Sequence, residues 1–258
     1  MINLIKSELR KTLGKKSILI IWILFLGFSG LLIRNFETLD TYSDVFSKIE
    51  GCIPFIGLVM FIVISGNYTK EYESSMVGLI NSTKNGRKNV VIAKAIANGI
   101  ALSLINISAV LVMGIKAFKY ENFQSLDIPI KQLWYFENSG SNITVLQMYL
   151  IVIASVIVGS FVFAQIGLAL SSAFKSATMP FILGGLIMGI SYFGLAFVPE
   201  KMVKFMALTP NWMMMSQLIV RYEVPITIRI LSGIVAVSLI ILLPMIAYKN
   251  FVNSKRLL

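Results

Sequence analysis

The chain has 258 residues, 57% of them hydrophobic and 14% charged, with a net charge of +11 and no histidine. Soluble domains carry about 25% charged residues, and the polar stretches left between the apolar runs are too short for a folded catalytic domain. The missing histidine excludes histidine-based triads, H-E-x-x-H zinc sites and histidine proton relays. The lone Cys52 excludes an internal disulfide and a thiolate metal cluster.

In chain order, residues 1–16 come first. Ile2, Ile5, Leu9 and Leu13 recur at steps of three and four, and Lys6, Arg10, Lys11, Lys15 and Lys16 occupy the rest. An apolar stripe bordered by cations predicts an amphipathic helix lying in the membrane interface. Gly14 permits a turn into the bilayer. The following apolar run is too long for a signal-peptide core and lacks a small-x-small cleavage pattern, so an uncleaved first span is expected.

Six spans are predicted, at residues 17–33, 52–68, 91–115, 145–170, 177–198 and 226–248. Crossing the hydrocarbon takes about 20 apolar residues at about 1.5 Å each. Only Lys94 and Arg229 bring a charge into a span, each near an end. In the third span Lys94, Asn98, Ala101 and Ser108 share one face. Two readings of Lys94 stand: it snorkels to the cytoplasmic edge, or with Asn98 and Ser108 it faces a translocation path or subunit seam. Ser155 and Gly159, and the G-x-x-x-G of Gly185 and Gly189, suit close helix packing, within the chain or between copies. Pro180 sits in the first turn of the fifth span, where it is tolerated, and Pro244 predicts a kink in the sixth.

Between the spans, residues 69–90 form the longest inner segment. Met76, Leu79 and Ile80 share a helical face after Glu71 and Glu73, acids that suit a helix start. Asn85-Gly86 is turn chemistry. Residues 116–144 read as an outer cap with Trp134 and Tyr135. Residues 199–225 read as two short amphipathic pieces broken at Thr209-Pro210, lying at or dipping into the outer boundary.

If each span flips the side, 13 lysines and arginines fall on the side of the N-terminus and 8 on the other, while the acids lean the opposite way. The positive-inside rule then puts both termini in the cytoplasm. The basic excess suits anionic inner-leaflet lipid, and its distribution argues against nucleic-acid binding. The expectation is a single-domain, all-α, multi-pass integral membrane protein with six transmembrane helices. No acid lies inside a span, so neither an intramembrane aspartyl dyad nor a carboxylate proton pathway is available. Gly14-Lys15-Lys16-Ser17 echoes a phosphate loop, but the full motif is absent.

A basic amphipathic N-terminal helix, six spans with both ends inside, and an ordered inner loop between spans two and three resemble the transmembrane permease subunits of ABC type-2 exporters. Glu71-Tyr72-Glu73, Gly78-Leu79, Asn81-Ser82-Thr83, Arg87 and Lys94 look like that family's loop pattern, and residues 199–225 are similar to its extracellular hairpin. The resemblance implies a transport subunit that is not itself an enzyme and holds no cofactor. ATP and magnesium would be bound by separate nucleotide-binding subunits. Those subunits would dock on a coupling loop containing Glu71, Glu73, Gly78, Leu79 and Arg87, and on the N-terminal helix carrying Ile5, Leu9, Arg10, Lys11 and Leu13. A second permease copy or a paralogue would complete the pathway. The bacterial cytoplasmic membrane and a peptide or bacteriocin substrate, for export or self-immunity, are implied in the same way. Against this stand a secondary transporter or channel, which predicts intramembrane acids or paired half-helices, and a membrane-bound enzyme or scaffold.

Overall fold

The computed structural model describes residues 1–73, 86–137 and 139–252, apart from the side chains of Lys70, Glu73 and Val252. Among the described residues the protein is all-helical, with 82% of them in helices. Among the described residues, extended pairing is limited to one antiparallel bridge between Pro129 and Thr144.

Among the described residues twelve α-helices run in chain order: α1 (Ile2–Leu13), α2 (Lys16–Leu32), α3 (Thr38–Gly51), α4 (Ile53–Ile64), α5 (Thr69–Glu73), α6 (Gly86–Tyr120), α7 (Val145–Ala173), α8 (Thr178–Phe193), α9 (Glu200–Val203), α10 (Pro210–Met214), α11 (Ser216–Arg221) and α12 (Ile226–Val252). Four of them, α6, α7, α12 and α8 with its short 3-10 extension, are long and apolar enough to cross a membrane. Two bent pairs, α1 with α2 at 68° and α3 with α4 at 43°, raise the number to six if each pair counts as one span. The protein is therefore a membrane protein with four to six candidate spans.

The second apolar run differs from its expected form. Helix α4 has only 12 residues, about 18 Å at 1.5 Å per residue, too short to cross alone. It continues α3 after a bend at Cys52, and Pro54 in the first turn of α4 has no amide hydrogen to carry the helical ladder back across the junction. Asp40, Asp44, Lys48 and Glu50 lower the apolarity of α3, yet Tyr42, Val45, Phe46 and Ile49 are buried on its inner face. The third run is longer than expected: α6 has 35 residues and overhangs 91–115 at both ends. Helix α12 continues through Pro244 to Val252.

Helices α6 and α7 form the centre. Buried residues make up 61% and 56% of their apolar windows, against 17% for both α8 and α12, which lie at the periphery. Glycines allow the close approach: a Cβ on Gly99 would stand 2.4 Å from Phe161, and one on Gly114 2.2 Å from Tyr149. Asn106 donates to Ser160 Oγ at 2.9 Å, and Gln165 to the Ala95 carbonyl at 3.2 Å. A capping box opens α7: the Gln147 amide donates to Thr144 Oγ1, and the Gln147 side chain accepts from the Thr144 amide.

The small-residue pairs divide. Ser155 donates to the Met214 carbonyl at 2.9 Å, and a Cβ on Gly159 would stand 2.3 Å from that of Met214, so this pair packs within the chain. Gly185 meets nothing within 4 Å and Gly189 only the edge of Phe193, whereas Gly184 packs beneath Phe61. The G-x-x-x-G face is thus left open by its own chain. The break at Thr209-Pro210 is present, with Thr209 extended at φ −84°, ψ 149° between a 3-10 turn and α10. Trp212 to Met215 are buried, and Asn211 donates to the Met188 carbonyl at 2.9 Å. That covers the irregular backbone with protein.

Candidate functional site

Lys94 sits in the third turn of α6, with its side chain 3% exposed. Its Nζ lies 2.8 Å from Glu8 Oε2 on α1 and 2.8 Å from Glu71 Oε1 on α5. It also donates to the Asn67 carbonyl at 3.1 Å and stands 5.5 Å from the centre of the Tyr68 ring. The snorkelling reading of Lys94 is not met: the ammonium points into the protein because two carboxylates replace the water it would otherwise seek. Asn98, one turn on, donates to the Lys94 carbonyl at 2.8 Å. Its Oδ1 accepts from Asn67 Nδ2 at 2.6 Å and from Thr12 Oγ1 at 3.4 Å.

The far wall is α1, and its orientation follows from its sequence. Glu8 and Thr12, one turn apart, are buried against α6, while Lys6 and Arg10 are exposed and Ile5, Leu9 and Leu13 are half-buried. The helix therefore has two working faces, one polar and turned to protein, one apolar with cations at its rim. Lys11 reaches round to Glu8 Oε1 at 2.5 Å. Gly14 ends the helix where a Cβ would meet the Arg10 carbonyl oxygen at 2.5 Å, so the corner before α2 has no room for a side chain.

The two acids are not equivalent. Burial pushes both carboxyls up. For Glu8 the ammoniums of Lys94 and Lys11 outweigh burial and hold it below its ordinary value. For Glu71 burial outweighs Lys94, and the nearby Glu8 charge adds to it, so Glu71 lies above its ordinary value. Glu71 Oε2 is buried with no hydrogen-bond partner among the described residues. One lysine thus serves two carboxylates and satisfies the first better. Such a cluster performs no bond chemistry by itself. It fixes α1, the chain after α4, and α6 relative to one another, and it is costly to break halfway.

Of the residues singled out from sequence, Glu71, Lys94 and Asn98 come together here. Ser108 does not: it stands 14 positions after Lys94, about 21 Å along the helix, and accepts from Trp22 Nε1 of α2 at 2.8 Å. Arg87 lies in the first turn of α6. Arg10 and Lys11 are exposed on α1. Gly78 and Leu79 lie outside the described residues, as does the Glu73 side chain. Sequence reasoning missed Glu8, Thr12, Asn67 and Tyr68. The available signal was an acid and a hydroxyl one turn apart on an otherwise basic helix.

A second cluster ties another trio of segments. Glu50 at the end of α3 accepts from Tyr135 OH at 2.6 Å and from Arg221 Nη1 of α11 at 3.1 Å. The Arg221 guanidinium lies 4.5 Å from the Tyr135 ring centre and 5.5 Å from that of Tyr222. On the predicted topology this cluster is at the opposite face of the membrane. No protein-family model, curated protein or solved structure matches the chain.

Proposed function

We propose that this chain is the membrane-spanning permease subunit of an ATP-binding-cassette exporter. It would move a hydrophobic or amphipathic substrate, a peptide being the working candidate, across a bacterial cytoplasmic membrane. In this reading six spans place both termini in the cytoplasm, with α1 lying in the inner interface. Separate subunits bind ATP and magnesium and dock on residues 71–87 and on α1. The observation that carries the reading is the Glu8–Lys94–Glu71 cluster. It links α1 and the start of the inner loop to the most buried long helix, so a push on either is transmitted to α6. Coupling of this kind needs a rigid lever and two arrangements of similar energy.

The open Gly185 and Gly189 face, beside a groove of about 200 Å³ between α4 and α8, suits a second permease copy or a paralogue. The test is purification of the native complex. An ATP-binding subunit should accompany the chain and give vanadate-sensitive ATP hydrolysis, and Glu71→Ala with Glu73→Ala should preserve insertion while uncoupling hydrolysis from export. A native complex with no ATP-binding subunit, or a double variant with full coupled export, contradicts the proposal.

A further inference from the structure

The outward side of α1 and the first turn of α2 flank a shallow, open cleft of about 510 Å³, lined by Lys6, Leu9, Arg10, Leu13, Gly14 and Leu19. Lys6 and Arg10 are one turn apart and both exposed, forming one edge. Leu9, Leu13 and Leu19 form the floor, which ends at Gly14 in the 68° bend. No acid lines the cleft. Glu8 is about 160° round the helix from Lys6 at 100° per residue, and it is engaged by Lys94 and Lys11. The ion pairs among the described residues do not involve Lys6 or Arg10. The apolar floor runs on into the exposed side of α2, through Ile20, Ile23 and Leu24.

We infer that this cleft binds an anionic phospholipid, with its phosphate held by Lys6 and Arg10 and an acyl chain lying along Leu9, Leu13 and Leu19. Two cations one turn apart match a phosphate in reach and charge, Arg10 offering a planar pair of donors and Lys6 a point charge. The occupant is lipid because the floor is continuous with the bilayer-facing surface of α2; a soluble anion would leave that floor wet. The site lies on the reverse of the helix that carries Glu8, so a bound lipid holds α1 against the membrane while Glu8 holds it against α6. The inference rests on α2 spanning the membrane and is independent of any ATP-binding partner.

The test uses the full chain in phosphatidylcholine vesicles doped with a diazirine-bearing phosphatidylglycerol, with cross-linked peptides mapped by mass spectrometry. Labelling should concentrate in residues 6–19, exceed that from diazirine-bearing phosphatidylcholine, and fall at least fivefold in Lys6→Gln with Arg10→Gln, since each cation near an anionic surface contributes about that factor. The conservative pair Lys6→Arg with Arg10→Lys should retain labelling, which separates lost charge from lost folding. Equal labelling by both lipids, or labelling unchanged by Lys6→Gln with Arg10→Gln, overturns the inference. So does competition by soluble glycerol phosphate, which would mark a free-phosphate site.

Discussion

The Glu8–Lys94–Glu71 and Glu50–Arg221–Tyr135 clusters each bind three segments, but in different surroundings. Around Lys94 the side chains are 3%, 5% and 10% exposed; Arg221 and Glu50 are 35% and 18% exposed. Removing one member of a buried pair leaves an uncompensated charge, whereas a partly exposed pair falls back on water. The Arg221 cluster compensates with area, because Arg221 lies against two aromatic rings and Tyr222 packs on Trp212 at 5.2 Å. The Lys94 joint is therefore stiff and intolerant of partial loss, and the Arg221 joint adaptable.

Lys94→Met sharpens this contrast most. It strands Glu71 and leaves Glu8 with the exposed Lys11 alone, and should destabilise the purified protein by about 3–5 kcal/mol, read as a fall in Tm. Adding Glu8→Gln and Glu71→Gln to Lys94→Met should recover much of that loss. A triple variant no better than the single one would show that the cluster is not the unit described. Arg221→Gln should cost less, about 1–2 kcal/mol after allowing for its exposure, and Arg221→Lys should keep the charge but lose the stacking. Equal effects of Lys94→Met and Arg221→Gln would erase the distinction between the two joints.

The two acids beside Lys94 give a pH signature. Glu8 is held below its ordinary 4.5, so its stabilisation is present above that pH and lost as the pH falls through its folded value. Glu71 is raised, so the folded state binds its proton more readily and its contribution declines as the pH rises. The contributions oppose each other. Glu8→Gln should flatten the acid side of a stability profile, and Glu71→Gln should steepen it. The smallest expected effect is chemical: a hydrophobic carbodiimide, which attacks protonated carboxyls, should label Glu71 before Glu8 near neutral pH. Mass spectrometry reads the order, and preferential labelling of Glu8 would reverse the assignment.

The long central helices were legible because 3.6-residue periodicity and sustained apolarity leave no competing structure for such runs. The break at Thr209-Pro210 was legible through the missing amide of proline. The Lys94–Asn98 face followed from helical spacing alone. Helix α3 was hidden because Asp40, Asp44, Lys48 and Glu50 mask a buried stripe that hydropathy averages away. The depth of α1 was hidden for a related reason: Glu8 reads as one more polar residue until Lys94, 86 positions away, is placed beside it. Among the glycines, spacing named Gly185 and Gly189, but the approach of α4 selects Gly184. Spacing marks a close-packing face only when the neighbour's direction is known.

The central claim is that the Lys94 joint takes force from a cytoplasmic partner, and a single accessibility measurement addresses it. In a Cys52→Ser background, Gly78→Cys should react with a membrane-impermeant thiol reagent only from the cytoplasmic side, and should be shielded once the ATP-binding subunits are bound. Reaction from the external side, or no shielding by any such subunit, would contradict the account.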